Sequence, residues 1–203
     1  MKTAVVSLQF GEREYFAVSR TALERFCAYQ GYALVIDSGA TFADGRDQRW
    51  SKVGAMLDAL ATYERVLYLD ADALPVNHRR SINELASLLG SACLLVGEDS
   101  PGHANTGVMV ARRSAVDVLE HWASVPEQHP ETRSTWPVDE LGFNQYTLPA
   151  FRSRIATCRG AGTDADFLRG SFFNHFCNGT AARKAESLQK LVATWSRSQE
   201  AIA

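Results

Sequence analysis

The chain has 203 residues, 46% of them hydrophobic and 22% charged. This suits one domain with a sizeable core and excludes collagen-like, disordered and disulfide-framework proteins. Its 21 Lys and Arg against 23 Asp and Glu leave a formal charge of −2, too balanced for nucleic acid or an acidic membrane to be the main partner. No window reaches the ~18 apolar residues of a bilayer span, and the opening run meets Glu12, Arg13 and Glu14, so neither a signal peptide nor a membrane helix is expected.

Residues 3–10 are apolar and β-branched and predict a strand. Phe16, Leu23 and Cys27, flanked by Tyr15, Ala22 and Phe26, then predict a helix. Gly31 closes that helix, and residues 32–36 form a second strand stopping at Asp37, which completes a βαβ unit. A polar loop over 38–48 leads to a helix marked by Val53, Met56, Leu57 and Leu60. A buried strand over 66–69 ends at Asp70-Ala71-Asp72. Leu85, Leu88 and Leu89 predict a helix, followed by strands at 93–97 and 108–111. Ser114 with Asp117 reads as the capped start of a helix carrying Ala115, Val118, Leu119 and Trp122 on one face.

Beyond this the pattern is less regular. Residues 126–137 read as a surface loop, 139–146 as a short helix, 154–157 and 172–176 as strands, and 159–170 as a Gly-rich loop. Leu188, Leu191, Val192 and Trp195 mark a final amphipathic helix. The fold class is therefore α/β, with continuous apolar strands as a mostly parallel sheet requires. Cys27, Cys93, Cys158 and Cys177 are widely spaced with no Cys-x-x-Cys pair, so they are expected to be reduced thiols rather than zinc ligands or disulfides.

The chemistry centres on Arg65-Val66-Leu67-Tyr68-Leu69-Asp70-Ala71-Asp72. Two carboxylates one residue apart emerge at the carboxyl end of a strand, where open α/β sheets bind ligands, and their repulsion invites a hard divalent cation. Taken alone, such a pair is as readily a capped, solvated turn. A lone His175 in a short apolar strand is ordinarily structural. Asp139 and Glu140 behind Pro137 occupy a place where acidic residues suit a helix start without any active site.

Together these segments resemble the GT-A-fold nucleotide-sugar glycosyltransferases. The resemblance rests on Trp50-x-Lys52, the run into Asp70-Ala71-Asp72, Asn105-Thr106-Gly107-Val108, Val138-Asp139-Glu140-Leu141-Gly142-Phe143-Asn144 and Phe173-Asn174-His175-Phe176. It covers most of the chain, in the order and at the distances seen in galactosyl-, xylosyl- and mannosyltransferases. The Lys-Pro-Trp tail of that family is not found after His175.

The resemblance implies a single domain over 1–203, built as a GT-A, Rossmann-like sheet flanked by helices. Residues 1–100 would be mainly nucleotide-binding, and the more irregular 101–203 mainly sugar- and acceptor-binding. The expected activity is metal-dependent transfer of a sugar, a hexose in the first instance, from a nucleotide diphosphate such as UDP to a glycan, glycolipid or glycoprotein. Asp70, Asp72 and His175 would hold Mn²⁺ or Mg²⁺, the imidazole favouring Mn²⁺. Ser7, Gln9 and Asp37 would meet base and ribose, Asp70 and Ala71 would share the nucleotide site, and Lys52 and Lys184 would face phosphate.

Asn105 would meet sugar hydroxyls, or else form a turn. Asp139, with Glu140 as alternate, would be the catalytic carboxylate, either taking the acceptor proton or steadying an oxocarbenium-like centre, with retention of configuration slightly favoured. The expected partners are the nucleotide-sugar donor and a carbohydrate-bearing acceptor, not nucleic acid. The expected location is cytoplasmic, with peripheral docking at the cytoplasmic membrane face for a lipid-linked acceptor. A nucleotidyltransferase is the competing enzyme, but Ser7-Leu8-Gln9-Phe10-Gly11-Glu12 is not its basic Gly-rich loop. A catalytically inactive nucleotide-binding module is the non-enzymatic alternative.

Overall fold

The opening apolar run forms β1 (Thr3–Leu8), every residue of it buried. The computed structural model describes residues 1–159, 172–177 and 179–200. After β1 come α1 (Phe16–Gln30), β2 (Ala33–Asp37), a 3₁₀ turn (Gln48–Trp50) leading into α2 (Ser51–Thr62), β3 (Arg65–Asp70), β4 (Ala73–Pro75) and α3 (Ile82–Ala86). Next follow β5 (Leu94–Ser100), β6 (His103–Arg112), α4 (Val116–Gln128), and α5 (Asp139–Gly142), which runs through a π-helical stretch (Phe143–Thr147) into α6 (Leu148–Ala150). The described chain closes with β7 (Ile155–Arg159), β8 (Phe173–His175) and α7 (Ala181–Glu200). The loop expected over 159–170 lies, after Arg159, outside the described residues.

Six strands form one sheet in the order β2-β1-β3-β6-β5-β7, and β4 pairs with β8 in a separate ladder. The β1–β2, β1–β3 and β5–β7 pairings are parallel, whereas β6 runs antiparallel to both β3 and β5. Successive residues of each strand face opposite layers. Val66 and Tyr68 of β3 enter a core with Val53, Met56, Leu60, Leu119 and Trp122 from α2 and α4. Leu67 and Leu69 enter a second core with Leu23 and Phe26 of α1, Ile82 of α3, and Leu188 and Trp195 of α7. Burial on both faces is why these strands read as unbroken apolar runs. At the end of α1, Gly31 takes a left-handed φ of 69° and lets the Tyr32 N–H return to the Cys27 carbonyl at 2.9 Å.

Two expectations are corrected. Ser114 does not cap α4: the helix begins after a 3₁₀ turn with no side-chain cap. Ser114 lies inside that turn; its backbone carbonyl accepts from Arg154, which also forks onto the Asp117 carboxylate. Nor does the loop begin at Pro126, because α4 continues through it to Gln128. Pro126 is buried there, and its carbonyl accepts from Arg133 Nε at 2.8 Å.

Trp122 fixes the start of α5. Its Nε1 donates to the Asp139 carbonyl at 3.0 Å, and its ring meets Phe143 edge-on at 4.9 Å and Trp50 at 6.4 Å between centroids. Trp122→Ala is expected to cost about 3–5 kcal/mol, from the cavity left behind and the unmatched carbonyl. Urea unfolding of the two proteins measures it, and a loss below about 1 kcal/mol contradicts this packing account.

Candidate functional site

Tyr68 and Asp70 lie two apart on β3 and therefore share a face, where the Tyr68 hydroxyl donates to Asp70 Oδ1 at 2.7 Å. Asp72 follows at the turn into β4. The β4–β8 ladder sets Ala73 opposite His175, and the Phe176 N–H donates to the Asp72 carbonyl at 2.9 Å. The result is convergence: His175 Nε2 stands 3.2 Å from Asp72 Oδ1 and 3.7 Å from Asp70 Oδ2. One ligand atom from each of Asp70, Asp72 and His175 falls within 4.8 Å of the others.

Gly107 makes room for the imidazole, because a Cβ there would lie 2.1 Å from His175 Cε1. Lys184, in the first turn of α7, closes the other side of Asp72 with a short ion pair. Burial alone would raise the Asp72 carboxyl, but His175 and Lys184 outweigh it and hold its pKa down at about 2. For His175 burial opposes charge, yet Asp72 and Asp70 prevail and raise its pKa. Two carboxylates aimed at one ring nitrogen could hold a cation between them, a proton on the imidazole or a divalent metal.

A second group of charges adjoins the first. The buried Lys52 ammonium sits 2.9 Å from Asp139 Oδ2 and 3.3 Å from Asp70 Oδ1, with the Tyr68 ring 5.2 Å away. The Thr106 hydroxyl donates to the same Asp139 oxygen at 2.9 Å, and its N–H donates to Glu140 Oε2 at 3.3 Å. Burial disfavours a charged Lys52, but Asp139 and Asp70 reverse the balance and raise its pKa. Burial raises Asp139 as well, with Lys52 pulling the other way. Asn144 ties this helix to β6, its amide both accepting from the Ala104 N–H at 2.7 Å and donating to the Ala104 carbonyl at 2.8 Å. Val138, just before Asp139, holds a positive φ of 57° with ψ at −108°, a combination that is strained for a β-branched residue.

Both groups open on one cleft of about 370 Å³, walled by Leu8, Phe10, Arg13, Arg49, Trp136 and Lys184 together with Lys52, Asp70, Ala71, Asp72 and Asp139. The structure thus brings together seven expected site residues: Lys52, Asp70, Ala71, Asp72, Asp139, His175 and Lys184. Others lie apart. Leu8 and Phe10 wall the cleft, while Ser7 and Gln9 are buried beside them with their side-chain polar atoms unpartnered among the described residues. Asp37 borders a different cavity and accepts from the Gly39 N–H at 2.6 Å. Asn105 lies within β6 rather than in a reverse turn, its side chain accepting from the Gly107 N–H at 3.0 Å. Glu140 faces His103, 3.9 Å from its Nδ1, at the β5–β6 end. The residues missed were Tyr68, Thr106, Arg13 and Trp136. The two-residue spacing of Tyr68 to Asp70 on a strand was the available signal for the first.

No family model matches the sequence, and no curated protein matches it either. The fold does find counterparts among solved structures. A glycosyltransferase involved in the glycosylation of the major capsid of PBCV-1 superposes with a TM-score of 0.72 at 16% identity, covering 92% of this chain and 99% of that one. The chain has the GT-A glycosyltransferase fold. The glycosyltransferase GlyE of Streptococcus pneumoniae TIGR4 superposes with a TM-score of 0.55 at 14% identity, and this chain spans 98% of itself but 64% of GlyE. Within the GT-A fold, Asp70-Ala71-Asp72 stands at the carboxyl end of the central strand β3. Among the described residues no helix is long and apolar enough to cross a membrane.

Gly107→Ala is expected to cost about 1–3 kcal/mol by forcing His175 aside. In a His175→Ala background the same change should cost almost nothing, so equal costs in the two backgrounds, measured by urea unfolding, reject the contact. Glu140 gives a pH dependence. Burial raises its carboxyl from 4.5 to about 7, partly opposed by the Thr106 N–H and Lys52. A group more readily protonated when folded contributes fully below its unfolded pKa and loses that contribution as pH rises through the folded one, here on the order of 3 kcal/mol. The stability of Glu140→Gln relative to wild type should therefore rise between about pH 4.5 and pH 8. A pH-independent difference in urea midpoint refutes the shift.

Proposed function

We propose that this chain is a metal-dependent glycosyltransferase that moves a sugar, a hexose in our reading, from a UDP-type nucleotide donor to a carbohydrate-bearing acceptor. The observation that carries the reading is the joining, in one cleft of a glycosyltransferase fold, of a convergent Asp70–Asp72–His175 set with a buried Lys52–Asp139 pair. The first set suits a divalent cation and the second suits the reacting sugar.

Asp72 and His175 would be the direct ligands, and Asp70 a ligand shared with the ribose. Mn²⁺ bound there supplies Lewis-acid stabilisation of the charge that develops on the departing diphosphate. Lys184 adds a cation beside Asp72, and Arg13 lines the same cleft, so the leaving phosphates meet positive charge from the chain itself. Lys52 positions Asp139 and keeps its buried carboxylate compensated. Both Lys52 and Thr106 engage Oδ2, which leaves Oδ1 for the reacting sugar or the acceptor hydroxyl. Ser7 and Gln9, with their unpartnered polar atoms, remain our assignment for the nucleoside end, and Asn105 for sugar hydroxyls. We place the protein in the cytoplasm.

Calorimetric titration with UDP, GDP and their sugar conjugates, with Mn²⁺ and after chelation, tests the donor site. Binding is expected to be metal-dependent and selective for one base, with slow release of free nucleotide from the matching sugar conjugate. Asp72→Asn should retain the circular dichroism of wild type and lower turnover at least about 100-fold. No nucleotide binding under either condition, or wild-type turnover in Asp72→Asn, rejects the assignment.

A further inference from the structure

Trp136 is 76% exposed. A single exposed aromatic is ordinary on a protein surface and by itself decides nothing. This one differs in its position, its backing and its neighbour's unmet bonding. The other large exposed hydrophobics among the described residues, Met1, Tyr29 and Leu88, lie outside the cleft wall, whereas Trp136 is part of it. It precedes Asp139 by three residues, and the segment between is anchored. Val138 is buried with its φ positive, its N–H donating to the Thr135 carbonyl at 2.6 Å. The indole is thus held at the mouth of the cleft by a fixed piece of backbone.

Arg49 backs the ring. Its guanidinium carbon lies 4.8 Å from the indole centroid, a cation–π distance, and its Nε is paired with Asp47 Oδ1 at 3.2 Å. One face of the indole is covered by this stack while the ring as a whole remains largely open. Arg49 Nη1, moreover, is shut off from water and has no hydrogen-bond partner among the described residues. The side chain as a whole is 35% exposed and lines the cleft, so its open edge can donate to a hydroxyl arriving there.

We infer that Trp136 and Arg49 form the acceptor subsite: the open indole face takes the C–H face of a pyranose ring, and Arg49 donates to a hydroxyl of that same sugar. The inference rests on the sugar-transfer reading of the cleft and specifies its acceptor as a neutral pyranoside. A flat amphipathic ring with a polar donor at its side matches a sugar, which presents an apolar face and a hydroxylated edge. A nucleobase also stacks on aromatics, but another aromatic of the cleft wall, Tyr15, stands at the Asp72–Lys184 pair, its ring 5.8 Å from Lys184 Nζ. Trp136 lines the cleft three residues before Asp139, the carboxylate assigned to the reacting sugar.

The experiment uses the indole resonances of the ¹⁵N-labelled chain. It contains four tryptophans, of which Trp50, Trp122 and Trp195 are buried, so the Trp136 signal is separable and is identified by its absence in Trp136→Phe. Methyl β-galactoside, methyl β-xyloside, methyl α-mannoside and lactose are titrated in turn, and UDP with diamagnetic Mg²⁺ separately. At least one saccharide is expected to shift the Trp136 signal saturably while the three buried signals stay in place, and UDP should leave it unmoved. In transfer assays with the saccharide that binds, Trp136→Ala should raise the acceptor KM at least tenfold with UDP affinity within twofold, and Trp136→Tyr should recover most of the loss.

The inference is overturned if no saccharide moves the Trp136 signal, if UDP moves it as far as a saccharide does, or if Trp136→Ala lowers UDP affinity in place of acceptor affinity. Failure of UDP to bind the wild-type chain would instead count against the sugar-transfer reading, while the saccharide titration still judges the subsite directly.

Discussion

A single ammonium group organises the centre of this molecule. Lys52 is carried into the interior by α2, and nothing in a dry interior accepts such a charge unless carboxylates surround it. Asp70 at the end of β3 and Asp139 at the start of α5 do so, with the Tyr68 ring and the Thr106 hydroxyl filling the remaining directions. The pairing links three elements distant in sequence. It fixes the strand-end carboxylates relative to the α5 carboxylate, and in doing so defines the cleft between them. The strained Val138 backbone and the Trp122 bond to the Asp139 carbonyl serve the same placement from the other side.

The second constraint is the short β4–β8 ladder. Three residues on each side carry His175 to Asp72, and glycine at 107 leaves the imidazole a place in which any side chain would collide with it. Asp72 is consequently bracketed by His175 and Lys184, and Asp70 by Tyr68 and Lys52. Each strand-end carboxylate has a cationic neighbour of its own, which is how two negative charges one residue apart are tolerated beside a third at Asp139. The same arrangement leaves donor atoms of Asp70, Asp72 and His175 within 4.8 Å of one another, with Lys52 and Lys184 beside the two carboxylates.

The core layers were legible because each buried strand is a continuous apolar run and each helix an apolar stripe, patterns that burial on two faces or one face imposes directly. β6 was the exception. Its apolar segment showed only at 108–111, since the half containing Asn105 and Thr106 is buried yet polar, and its antiparallel direction follows from a β5–β6 hairpin whose strands extend beyond that segment. β4 is three residues long and has no period to detect. The helix start at Ser114 was misread because Ser114 lies inside the 3₁₀ turn Arg113–Ala115 that precedes α4, and the Asp117 carboxylate pairs with Arg154. Of the site, Asp70 and Asp72 stood out by their place at a strand end, while Lys52, Asp139 and His175 took their roles from the family resemblance. Thr106 was quoted without a role, and Trp136 and Arg13 gave no local sign at all.

What the sequence determined by itself was local: apolar runs long enough to be buried, the glycine that ends α1, and a pair of carboxylates placed where a strand must emerge from its sheet. What only the tertiary structure decided was which charges meet. Whether Lys52 faces solvent or Asp139, whether His175 is a core residue or a third donor beside Asp72, and whether Glu140 turns to the cleft or to His103 depend on contacts between segments far apart in the chain. Coulomb and hydrogen-bond energies fall away within a few ångströms of that geometry, and no periodicity along the chain encodes it.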